Sequence, residues 1–242
     1  MKSTTETGHA KNVANLQKLI EQISVYSQYN PPLEDLEITN LQTLHTEAAT
    51  VLNGVEEKRN ANKKAIHERK VAFENLKPVC TRIINFLEIL SLNEGTLNQA
   101  KSLNRQIQGG TKRTKPTVEE NDTPARTIST SRQSFTQQTD NFGILVQLLE
   151  TIPNYTPNED ELKIETLQTY LETLRTTTKN VDQTEAELNG KFIERSQILY
   201  ASNTGLYDRA QNVKKYVKSV YGSTSAEYTK ISKIEFTNIK SV

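Results

Sequence analysis

The sequence predicts an all-α protein: a tandem duplication of a three-helix unit, with long antiparallel helices, in an elongated helical bundle. Three observations carry that expectation. Apolar residues recur at helical spacing along most of the chain. A joint motif occurs twice, as YNPPLEDLEITNLQT at 29–43 and as YTPNEDELKIETLQT at 155–169. The composition is 34% hydrophobic, without Trp and with few prolines, which suits helices that bury one stripe and wet the rest.

The repeat keeps one register. Tyr29, Pro31, Leu36, Ile38 and Leu41 recur 126 positions later as Tyr155, Pro157, Leu162, Ile164 and Leu167. Upstream, Leu16, Leu19, Ile20 and Ile23 meet Phe142, Leu145, Val146 and Leu149. Downstream, Val55 meets Val181, Ile66 meets Phe192, and Glu68-Arg69 meets Glu194-Arg195. Apolar answers apolar over roughly 55 residues, as a duplicated unit requires.

The first helix places Leu16, Leu19, Ile20 and Ile23 on one face of a 3.6-residue period. Its twin runs from about Ser131 through Ile152. The repeated motif is the joint that follows. Pro31 and Pro157 suit a turn, and the acids after them sit at the start of the next helix, where carboxylates favour the positive dipole end. The second helix is expected from Glu34 to about Leu76, roughly 60 Å long, with Leu41, Leu44, Ala48, Val55, Ile66 and Phe73 as its buried stripe. Its twin runs from Asp160 to about Tyr200. Mid-helix, KRNANKK and TTTKNVDQTEAE are polar and face either solvent or the other repeat. A third helix starts at Pro78 and carries Val79, Ile83, Ile84, Leu87 and Leu90. Its counterpart carries Leu206, Ala210, Val213, Tyr216, Val217 and Val220. Shorter segments, TLNQAKSLNRQI and SAEYTKISKIEF, close the two units. The domain reading is 1–108 for the first helical unit, 109–126 for a mobile Gly-, Pro- and Thr-rich linker, and 127–242 for the second helical unit.

Chemical motifs are sparse. The net charge is +1, so neither nucleic acid nor anionic membrane is favoured by overall attraction. Cys80 is the only cysteine and reads as a small buried hydrophobe beside Val79 and Ile83 rather than a reactive thiol. His9, His45 and His67 lie far apart in sequence and in no metal-ligand spacing. GGTKRT lacks the spacing of a phosphate-binding loop. Glu68-Arg69 and Glu194-Arg195 read as salt-bridging pairs to adjacent helices. Tyr29 and Tyr155 read as lids on the apolar stripe at the joint. From Arg209 onward, Lys214, Lys215, Lys218, Lys230, Lys233 and Lys240 alternate with Tyr207, Tyr216, Tyr221 and Tyr228. That pattern can bind single strands but is more simply a solvated helix face.

The stretches TISTSRQSF…DNFGILVQLLETIPNYTPNEDELKIETLQTYL and LYDRAQNVKKYVKSVYGSTSAEY resemble a group of bacterial hypothetical proteins built from the same duplicated helical unit. The resemblance implies an all-helical repeat and brings no active site with it.

The chain is therefore expected to be a non-enzymatic helical interaction or scaffold protein with a protein partner. No catalytic, cofactor-binding or metal-binding residue is assigned. The alternative is a membrane-active, pore-forming-like helical bundle. No apolar run reaches the length of a transmembrane helix or of a signal peptide, so a cytoplasmic setting is expected.

Overall fold

The structure is a computed structural model that describes residues 7–109 and 134–239. The described residues are helical and contain no strand. Of the 109–126 linker only Gly109 is described; the rest lies outside these residues.

The helices are α1 (Thr7–Ser24), α2 (Ile38–Phe73), α3 (Leu76–Ile89), α4 (Glu94–Gln108), α5 (Phe135–Glu150), α6 (Ile164–Tyr200), α7 (Leu206–Tyr221) and α8 (Ala226–Ser232). Their ends follow from local chemistry. Asn93, Ser134 and Ser225 accept backbone N–H groups of Thr96, Gln137 and Tyr228, capping α4, α5 and α8. Pro78 is the third residue of α3, where its missing N–H would have no intrahelical acceptor. Gly222 ends α7 at φ 93°, a conformation that side chains disfavour.

The joint differs from the sequence expectation. The acids after each proline do not begin the long helix. They form separate 3-10 turns, Glu34–Leu36 and Asp160–Leu162. Glu37 and Lys163 then adopt extended geometry, at ψ 146° and 143°. Their carbonyls accept from Leu41 and Leu167 and so begin α2 and α6. The helices that follow hold 36 and 37 residues, about 54 Å of rise each.

The chain divides into two compact units. Unit 1 comprises Met1–Asn62 with Thr184–Val242, and unit 2 comprises Lys63–Gln183. Each boundary falls inside a long helix, and each unit takes residues from both sequence segments, 1–108 and 127–242. Each has its own core. In unit 1, Leu16, Leu19, Ile20 and Ile23 of α1 join Leu41, Leu44 and Ala48 of α2, Leu199 of α6, and Leu206, Ala210, Val213 and Val217 of α7. In unit 2, Leu76, Cys80, Ile83 and Leu87 of α3 join Ala100, Leu103 and Ile107 of α4, Phe142, Leu145 and Leu149 of α5, and Leu167, Leu171 and Leu174 of α6.

The physical reason for this mixed pairing is visible in α3 and α7. Their fully buried residues are 76, 80, 83 and 87 in one and 206, 210, 213 and 217 in the other. The spacing is identical, so either helix offers the same ridge to a neighbour. In unit 1, α7 packs on the Glu34–Leu36 turn and on α1; in unit 2, α3 packs on the Asp160–Leu162 turn.

The polar middle stretches are mostly exposed or half-buried, with a few residues meeting protein. In unit 1, Lys58 Nζ lies 2.9 Å from Glu187 Oε2, Asn62 donates to Thr184 Oγ1 at 3.1 Å, and Gly54 lies against the Lys191 side chain. The Glu187 hydrogen bond raises the Lys58 pKa. One stripe position differs from expectation: Ile66 is 45% exposed, while Ala65 is buried.

Candidate functional site

Three places bring polar and aromatic chemistry together: the two joints, the clefts beside them, and a seam on α1.

At the joints, Tyr29 Oη donates to Leu36 O at 2.6 Å, and Tyr155 Oη donates to Leu162 O at 2.8 Å. The residue spacing of the two bonds is the same. Each ring meets another edge-on: Tyr29 meets Tyr216 at 5.5 Å between centroids, and Tyr155 meets Phe86 at 5.4 Å. Tyr155 is 5% exposed and Tyr29 is half-buried. Burial raises both phenol pKa values, that of Tyr155 to about 12. A hydroxyl held neutral and donating to a backbone carbonyl closes the turn and is not available for proton transfer.

Beside each joint lies a cleft. The unit 1 cleft, about 630 Å³, is lined by Glu34, Asp35, Asn40, Glu47, Gln197 and Arg209 among others. Arg209 Nη2 pairs with Asp35 Oδ1 at 2.9 Å. Its Nε is buried with no acceptor among the described residues. The unit 2 cleft, about 440 Å³, is lined by Asn75, Pro78, Val79, Arg82, Glu161, Thr166 and Tyr170, with Arg82 paired to Glu161. Tyr170 stands where register puts Leu44 in unit 1. Its hydroxyl donates to Ala72 O at 2.7 Å, and burial pushes its pKa up to about 12.

The α1 seam is in unit 1. His9, Asn12 and Asn15 are buried on the face of α1. Asn12 Nδ2 donates to Thr237 O at 2.8 Å, while Asn12 Oδ1 accepts from Thr237 N at 3.0 Å. Asn15 Nδ2 donates to Glu235 O at 2.7 Å. Asn12 Nδ2 also reaches Tyr200 Oη at 3.1 Å, which lies 2.8 Å from His9 Nδ1. Sequence reasoning missed this seam. The available signal was two asparagines at helical spacing within the apolar face of α1.

The other residues singled out in the sequence have structural surroundings. Cys80 is fully buried, and desolvation pushes its thiol up to about 12, which makes it inert. Among the described residues, no three or more His, Cys, Asp or Glu side chains could hold a metal ion. The glutamates of the two Glu-Arg pairs bond along their own helices, and the arginines lie over rings. Glu68 pairs with Lys64 and Glu194 with Lys191, each one turn away on its own helix. Arg69 stacks 4.2 Å above Phe135, and Arg195 lies 5.0 Å above Phe192. The C-terminal tyrosines are engaged internally: Tyr216 donates to Asn30 O, Tyr221 accepts from Gln28 N at 2.9 Å, and Lys218 lies over Tyr228. No described helix is long and apolar enough to cross a membrane. Comparison of the chain with protein-family models, curated proteins and solved structures finds no match.

Proposed function

We propose that the chain is a non-enzymatic helical interaction or scaffold protein, built by tandem duplication, acting in the cytoplasm through a protein partner. Support for duplication is the recurrence, 126 positions apart, of the 3-10 turns, the long-helix starts and the tyrosine-to-carbonyl bond. An antiparallel course of α2 and α6 is supported by partner numbers that fall as others rise: 54 with 191, 58 with 187, 62 with 184 in unit 1, and 72 with 170 in unit 2.

The observation that carries the interaction reading is the unit 1 joint. Val25 is 75% exposed and Leu33 is 58% exposed. Val25 precedes Tyr26 and Leu33 follows Tyr29 in the chain, in a joint where Tyr26 meets Tyr221 at 5.6 Å and Tyr29 meets Tyr216. Val220, next to Tyr221, is 36% exposed. Exposed aliphatics around tyrosines have the composition of a protein interface. The register positions of Val25 and Leu33 in unit 2 are Thr151 and Glu159, so these two exposed aliphatics are not required by the turn itself. Val25→Glu and Leu33→Glu should leave thermal stability unchanged and remove a partner that cross-links to this joint in the native cell. A partner set unchanged by both variants would contradict the reading.

A further inference from the structure

Residues 234–239 follow α8 and lie along α1 in unit 1. The pairing partners are Glu235 with Asn15, Thr237 with Asn12, and Ile239 with Gly8, where a Cβ would come within 2.6 Å of Ile239 Cδ1. From residue 8 to 15 a helix rises about 10.5 Å. From residue 235 to 239 an extended chain spans about 13 Å, whereas a helical one would cover about half that. The segment is therefore an extended strap running opposite to α1. Its side chains alternate from 234 to 237, with Ile234 and Phe236 facing the core and Glu235 and Thr237 exposed; the alternation then breaks, Asn238 being exposed and Ile239 partly buried.

The strap is held chiefly through its backbone. Asn12 satisfies both the N–H and the C=O of one residue, Thr237, as a neighbouring β-strand would. Lys214 of α7 donates to Ile234 O and lies 5.3 Å over the Phe236 ring. Backbone capture with pockets for alternate side chains is the general form of extended-peptide recognition. Among the described residues of unit 2, α4 covers α5 as a helix.

We infer that the α1–α7 face bearing Gly8, Asn12, Asn15 and Lys214 is a groove for an extended peptide, and that residues 234–239 are its resident occupant, displaceable by a partner segment. The occupant itself defines the partner's chemistry: an extended segment with an aliphatic residue, an aromatic two positions on, and a second aliphatic three positions after that. This names a partner class for the interaction reading and uses a surface separate from Val25 and Leu33, so either can fail while the other stands.

The test uses full-length chains and a labelled peptide of residues 233–239, KIEFTNI. Two variants weaken the resident strap independently: Thr237→Pro, which removes the N–H that Asn12 accepts, and Ile239→Ala. In fluorescence anisotropy both should bind the peptide at least about tenfold more tightly than the wild type, and adding Asn12→Ala should reverse the gain by about tenfold, as loss of its hydrogen bonds implies. A scrambled peptide should not bind. Helical circular dichroism confirms that each variant is folded. Absence of peptide binding to both folded strap variants overturns the proposal, as does binding indifferent to Asn12→Ala. Concentration-dependent dimerisation of the wild type in sedimentation, lost in Asn12→Ala, overturns the partner-peptide assignment in favour of a second copy.

Discussion

The two units cover the same kind of helix with different material. Unit 2 lays helix α4 on α5 with an apolar contact in which Ala100, Leu103 and Ile107 are buried. In unit 1 the seven-residue α8 packs on α7, and the extended strap lies along α1. A helix satisfies its own backbone, but an extended strand does not, so its N–H and C=O groups need side-chain partners. That is why α1 buries Asn12 and Asn15, while the only buried polar residue of α5 is Thr139, whose hydroxyl bonds its own helix at Phe135 O. The ring pairs change in the same sense: His9 with Tyr200 in unit 1, Phe73 with Phe135 in unit 2. The comparison teaches that the buried amides of Asn12 and Asn15 answer the covering backbone.

The largest expected difference between the units is at the tyrosine joints. Tyr155→Ala should cost about 3–5 kcal/mol, and Tyr29→Ala clearly less, because Tyr155 is buried and Tyr29 only half so. Urea unfolding of both variants checks this, and equal losses would break the comparison. Next is the link between the long helix and the one after it. A Cβ on Gly205 would lie 2.6 Å from Ala201 N and 2.8 Å from Ala201 O, backbone atoms that cannot step aside. Gly205→Ala should therefore destabilise by about 1–3 kcal/mol. In unit 2, Asn75 precedes α3, is exposed and makes no side-chain cap, so Asn75→Ala should stay within about 0.5 kcal/mol.

Smaller still is the hydroxyl effect. Tyr29→Phe and Tyr155→Phe each leave a turn carbonyl without its donor, and each should cost about 1 kcal/mol. Near-equality is expected because the bond is the same in both units. The smallest effect is alkaline. The phenols of Tyr29, Tyr155 and Tyr170 have folded pKa values raised above the ordinary value of 10.0, chiefly by desolvation. Their contribution to stability is complete below pH 10 and is lost as pH rises towards about 12. Phenolate absorbance should show these three titrating above the ordinary tyrosine range. Titration of all tyrosines together, with the fold intact, would contradict their burial.

Helical periodicity made the all-α class legible, together with the joints and most core positions. It could not show which helix covers which stripe. The stripes of α3 and α7 have the same spacing, so the sequence is compatible with either serving α1, and only the packed structure distinguishes them. Ile66 was misread because a stripe on a long helix turns gradually about its axis: 3.6 residues per turn carried the buried position to Ala65. The strap was read only as a short closing segment because nothing local in SKIEFTNI marks where its backbone bonds go. Its partners, Asn12 and Asn15, lie more than 200 residues away.

The mixed composition of the units is tested most directly by ring-to-ring nuclear Overhauser contacts at the joints. Tyr29 should show contacts to Tyr216, 5.5 Å away between centroids, and Tyr155 to Phe86 at 5.4 Å. Phe86 and Tyr216 occupy matching places on α3 and α7, so the alternative is equally specific. Contacts from Tyr29 to Phe86 and from Tyr155 to Tyr216 would mean that each sequence segment folds upon itself, and would contradict units built from both.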